Sequence, residues 1–207
     1  IYMGRFIWGI EAAVNNAAHL GAVKGDQLVL TAISNNSGSN SADGEAVGTT
    51  NVTSNIAAMT FQGDVITSAI FDSVQSKAEF GTDGVVATEA GAVASKNQLG
   101  EEYGLKAYSP IGKEWNEQVI SFAQYVTGKT AEEVSGIALT ETTAPADTDL
   151  TSSVTIAVGD FMALIEKSAA IVVEKETVSE AAEVKTGYAF TTSVSAKTVL
   201  KGDLDGN

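Results

Sequence analysis

Seven residues, Asp149 to Thr155, carry one acid and four hydroxyls: Asp149, Thr151, Ser152, Ser153 and Thr155. A few residues on, near Gly159, an amphipathic pattern begins that predicts a helix. A helix N-terminus offers unpaired amide donors and the positive end of a dipole, so an anion held there is stabilised. The chemistry this spacing suits is a phosphate ester on one of the hydroxyls, in front of the helix. The plain structural alternative is a β-strand with its hydroxyls toward solvent, preceding a capped helix.

Other groups offer less. His19 is the single histidine, and without a positioned serine or cysteine partner it reads as a helix-end residue rather than a base. Trp115, Tyr103 and Tyr108 could stack on a flat ring, yet aromatics on a helix face usually serve the core. Glu101 with Glu102, and Glu132 with Glu133, read as solvated faces, because neither pair has the separated environments that divide an acid from a base. The ending GDLDGN sets Asp203, Asp205 and Asn207 at alternating positions like the opening of a calcium loop, but stops before the later ligands. It reads as a turn. The chain has no cysteine, which removes disulfides, thiolate metal sites and thiol nucleophiles together.

The elements that must position these residues are legible in part. Between Gly4 and Ala18 the apolar residues Phe6, Ile7, Ile10, Val14 and Ala17 recur at helical spacing, and from Gly159 onward Phe161, Leu164, Ile165, Ser168 and Ile171 repeat the stripe. Strands are expected over 27–34 and 188–195. The stretch 35–48 has the Asn, Ser and Gly content of a loop. Two extended runs, 55–61 and 65–74, flank Gln62, Gly63 and Asp64, which predicts a β-hairpin. Strict alternation puts Ile66, Ser68, Ile70 and Asp72 on one face and Val65, Thr67, Ala69 and Phe71 on the other, so both faces should be at least partly covered. A shorter extended piece over 84–88 would add an edge. A helix over 114–127 carries Trp115, Val119, Phe122 and Val126 on one side, with Gly128 as its stop. Thr130 and Glu133 form a capping box for a short helix.

Composition narrows the function. The 207 residues are 44% hydrophobic, enough for a full core, and no apolar stretch approaches a membrane span. With 12 basic against 26 acidic residues the net charge is −14, a field that repels nucleic acid. Richness in Thr, Ser, Ala, Val and Gly leans toward an extracellular or cell-surface protein. Asn35 and Asn51 head glycosylation sequons, which matter only in a compartment that glycosylates.

The Asp149–Thr155 run also resembles a family motif. In the FMN-binding domain family of bacterial exported proteins, the motif is Asp, two variable positions, Ser or Thr, Gly, Ala, Thr; here those positions are Asp149, Leu150, Thr151, Ser152, Ser153, Val154 and Thr155. The resemblance extends to the hairpin run TFQGDVITSAIFDSVQ, the connector KNQLGEEYGLK and the helix GKEWNEQVISFAQYVTGKT, and spans roughly residues 45–172. It implies FMN joined through its phosphate to Thr155 by a separate transferase, with Asp149, Ser152 and Ser153 beside it. The protein would then pass electrons to a redox partner. Two positions depart from the family: Ser153 replaces a glycine and Val154 an alanine.

A second pattern links the beginning and the end of the chain. Gly4, Phe6, Ile10 and Glu11 recur 155 positions later as Gly159, Phe161, Ile165 and Glu166; Val23, Lys24, Thr31, Ile33 and Ser34 meet Val184, Lys185, Thr192, Val194 and Ser195 after 161. Order is kept through a helix, a connector and a strand, as in a modular array. The expected organisation is a terminal helix-strand copy from a preceding repeat over 1–34, an FMN-binding-like domain over 35–172, and the start of a following repeat over 173–207. The expected fold is α+β, a mainly antiparallel sheet with the Trp115 and Phe161 helices packed on it. Two functions follow, neither that of a turnover enzyme: a surface flavin carrier, or a structural subunit of a layer or filament that self-associates through its terminal segments.

Overall fold

The computed structural model describes residues 3–87, 91–172 and 192–194, the last three as backbone only. The fold is α+β, built on a three-stranded antiparallel sheet. Strand β1 (Gln27–Asn35) lies at one edge, β2 (Gly48–Gln62) in the middle and β3 (Val65–Phe80) at the other edge. β2 and β3 form the expected hairpin across Gly63 and Asp64, with Gly63 at φ 62, a conformation strained for any side chain. β1, which falls in the 1–34 segment, pairs with β2 along its whole length, from Gln27 opposite Phe61 to Asn35 opposite Thr53.

Register defines two faces. Val29, Met59 and Ala69 sit side by side across the strands, as do Thr31, Ala57 and Phe71, and these make the inner face. Leu28, Thr60 and Ser68, then Leu30, Ala58 and Ile70, make the outer face. The alternation expected from sequence breaks once. Thr60 pairs with Ser68 but Phe61 with Ile66, so Thr67 is an extra residue and Ile66 joins Ala69 and Phe71 in the core.

The inner face is covered by two helices. In α3 (Trp115–Val126) the stripe Trp115, Val119, Phe122 and Val126 is buried as its spacing requires. The last of the main helices, α6 (Gly159–Ala169), buries Phe161, Leu164 and Ile165 against β1 and β2. Phe71 meets Phe122 at 5.6 Å and Phe161 at 5.1 Å between ring centroids, in tilted geometry that aromatic quadrupoles favour. Thr31 and Ser168 share a buried hydroxyl hydrogen bond of 2.7 Å, and Lys167 Nζ donates to the Ala32 carbonyl of the edge strand at 2.8 Å.

Short elements close the rest. β4 (Gly91–Val93) pairs antiparallel with β5 (Thr192–Val194), which falls in the predicted 188–195 strand. The extended piece expected at 84–88 reduces to one bridge between Val86 and Phe80. α2 (Lys96–Leu99) begins at a Ser95–Gln98 capping box, and α4 (Ala131–Ser135) at the predicted Thr130–Glu133 box, where Glu133 N–H donates to Thr130 Oγ1 at 3.2 Å. α5 (Thr148–Thr151) is a single helical turn. Among the described residues no helix is long and apolar enough to cross a membrane. The remainder of the 173–207 segment, GDLDGN included, lies outside the described residues.

Helix α1 (Gly4–Asn15) differs from α6 in its burial. It forms where the periodicity predicts, but its large apolar residues Phe6, Ile7, Ile10 and Val14 are exposed. Since the Phe161 ring joins β3, α3 and α6, Phe161→Ala should lower the unfolding free energy by about 3–5 kcal/mol. The exposed Tyr108→Ala should change it by no more than about 0.5 kcal/mol. Urea denaturation of the two variants measures both.

Candidate functional site

Leu150, Val154 and Val158 are each buried, and that spacing of four threads the hydroxyl run into the core. The run is not a strand. α5 is capped by Asp147, whose carboxylate accepts the Asp149 N–H at 2.8 Å, and the turn continues as Ser153 N–H and Val154 N–H donate to the Leu150 carbonyl. The hydroxyls of Thr151, Ser152 and Ser153 donate to carbonyls three residues back, those of Thr148, Asp149 and Leu150. Hydroxyls that can satisfy themselves on a helical turn have no need of the extended chain. Ser153 does not require the positive φ that would favour glycine: among the described non-glycine residues only Thr143 has one, at 60°. Val154 fills core space that an alanine would leave empty.

Thr155 is held by Gln118 from α3. Gln118 Oε1 accepts both the Thr155 N–H at 2.7 Å and its hydroxyl at 3.0 Å, while Gln118 Nε2 donates to Ser109 Oγ and to the Lys113 carbonyl. The Gln118 side chain is fully buried with all its polar capacity engaged. One turn earlier the buried Glu114 carboxylate accepts the Leu105 and Lys106 N–H groups at 2.9 and 3.0 Å, fixing the loop that precedes α3. Lys96 Nζ lies over the rings of Tyr103 and Trp115 at 4.9 and 5.1 Å from their centroids. Tyr108 stands apart in solvent.

The predicted residues are thus brought onto one turn, with Asp149 and Ser152 exposed and Ser153 and Thr155 half-buried. The helix end in front of them is filled by the protein's own groups. Asp160, in the first turn of α6, accepts from Asn55 Nδ2 at 2.7 Å, so a carboxylate already answers the dipole. Thr143 packs so closely on Gly159 that a Cβ there would lie 2.9 Å from the Thr143 Cβ. A cavity of about 730 Å³ lies elsewhere, between α1, β3 and α3, lined by Ala12, Asn16, Ile70, Asp72, Asn116 and Ile120 among others. None of Asp149, Ser152, Ser153 and Thr155 borders it.

No family model, curated protein or solved structure matches the chain.

Gln118 and Glu114 were not picked out from sequence, although a signal existed: Gln118 follows Trp115 by three and precedes Phe122 by four, a polar residue on the buried stripe. Thr143 gave no such signal. His19 lies exposed at the cavity rim, and Glu132 and Glu101 are solvated as expected. Gln118→Leu keeps the volume and strands the Thr155 N–H, so it should cost about 1–3 kcal/mol of stability. Thr155→Val removes one donor only and should cost about 0.5–1.5 kcal/mol. A double-mutant cycle by equilibrium unfolding should show the two effects to be non-additive.

Proposed function

We propose that the chain is a non-enzymatic structural module that self-associates, as a subunit of a surface layer or filament. One observation carries the reading. Phe6 and Ile10 are 63% and 68% exposed, while their repeat equivalents Phe161 and Ile165 are 3% and 0% exposed. Two helices of matching pattern therefore meet opposite environments, and the exposed one presents a contiguous apolar stripe of the kind that marks interaction sites. Leaving such a stripe in water forfeits roughly 1.5–3 kcal/mol per large side chain. Association recovers it.

The flavin carrier is the second reading, and what favours it is the position of Thr155: half-buried on an ordered turn, its hydroxyl oriented by the single acceptor Gln118. The surrounding residues do not form a cradle for the ring system. Trp115 is buried in the core, Tyr108 is 88% exposed, and the α6 terminus is answered by Asp160.

Sedimentation velocity over a wide concentration range should show wild type passing from monomer to a larger species. The double variant Phe6→Ser, Ile10→Ser should remain monomeric, with monomer stability changed by no more than about 0.5 kcal/mol, since both positions are exposed. Wild type that stays monomeric throughout would refute the assembly reading. For the flavin reading, intact-mass spectrometry of native-source protein should find one FMN, less water, on the Thr155 peptide, lost in Thr155→Ala. An unmodified Thr155 would end it.

A further inference from the structure

We propose that α1 of one copy seats on the outer face of β1 in a second copy, over Leu28 and Leu30, and that the contact is reciprocal. This rests on the assembly reading and names its surface. The repeat supplies the kind of partner: α6, which carries the equivalents of Phe6 and Ile10, packs on β1 and β2, and its Phe161 ring meets Phe71 of β3, so the stripe suits a sheet. The inner sheet face cannot serve, because α3 and α6 fill it in every copy. Nor can α1 displace α6 there. Gly9 stands where α6 has Leu164, a fully buried side chain whose loss would cost about 2–5 kcal/mol.

The outer face at the edge strand is open. Leu28 and Leu30 are 58% and 62% exposed, although their partners on β2, Thr60 and Ala58, are buried. One chain thus carries both an unpartnered apolar helix and an unpartnered apolar strip of sheet. When each of two copies offers both, a two-fold pair satisfies all four surfaces and closes, so this pair is the building unit and growth of a layer or filament would use other surfaces. Six large side chains, Phe6, Ile7, Ile10, Val14, Leu28 and Leu30, make each contact. Taken twice, at roughly 100 Å² each, they bury on the order of 1,200 Å², the lower end of what a specific dimer needs. Each copy carries −14, so pairing should tighten as ionic strength rises.

The absence of cysteine makes a direct test clean. The full-length single variants Ile10→Cys and Leu30→Cys, both at exposed positions, are mixed and oxidised, then run on a non-reducing gel beside each variant alone. The mixture should give several-fold more disulfide dimer than either variant by itself, and more at high salt. Equal dimer from Ile10→Cys alone would show α1 packing on α1 and overturn the proposal. Absence of cross-linking in protein that sediments as a dimer would also overturn it, while leaving self-association standing. A chain that sediments only as monomer would instead remove the reading on which the proposal rests.

Discussion

Three phenylalanine rings hold this fold together, because Phe71, Phe122 and Phe161 bring β3, α3 and α6 to one point. Each belongs to an element that cannot bury its apolar side alone: a strand needs a cover and a helix stripe needs a floor. Tilted rings with centroids 5.1 to 6.4 Å apart supply the floor and the cover at once. Once α3 and α6 are fixed, the connection between them has little freedom. Leu150, Val154 and Val158 must enter the same core, and the hydroxyl run between them is wound into a turn by that demand.

The polar groups follow from this packing. Gln118 sits on the buried side of α3, so its amide has to find partners inside the protein, and it finds them in Ser109, Lys113 and Thr155. A fully satisfied buried amide specifies position more than it adds stability, because any displacement leaves a polar group unpaired. Asn55 and Asp160 do the same between β2 and the start of α6. The Asp149–Thr155 turn is thus held in place from α3, through Gln118.

Legibility in the sequence tracked the strength of the period. The α3 stripe, the hairpin at Gly63 and the Thr130–Glu133 box could be read because each rests on local chemistry with one dominant solution. The extra residue at Thr67 could not, since a bulge shifts face without changing composition. In the Asp149–Thr155 run the β-branched and hydroxyl residues suggested a strand, whereas Leu150 and Val154, four apart, carried the true helical signal. Positive φ at Thr143 belongs to the tight turn closed by Thr143 N–H on the Thr140 carbonyl and Thr140 N–H on the Ala144 carbonyl, and a threonine there gives no sign of it. For α1 the stripe announced a helix and said nothing of its partner.

That last case separates two properties that sequence patterns merge. An amphipathic stripe states that a face seeks cover, but the residues around it decide which cover fits. In α6 those residues are Asp160, bonded to Asn55, and Ser168, bonded to Thr31. The matching positions in α1 are Arg5 and Ala13. A cation would sit at the helix end where the dipole favours an anion, and the buried Thr31 hydroxyl would face a methyl group. α1 shares the apolar stripe of α6 but lacks the polar groups that fit α6 to the inner face. What remains is an apolar helix face without those polar groups, exposed at Phe6, Ile7, Ile10 and Val14.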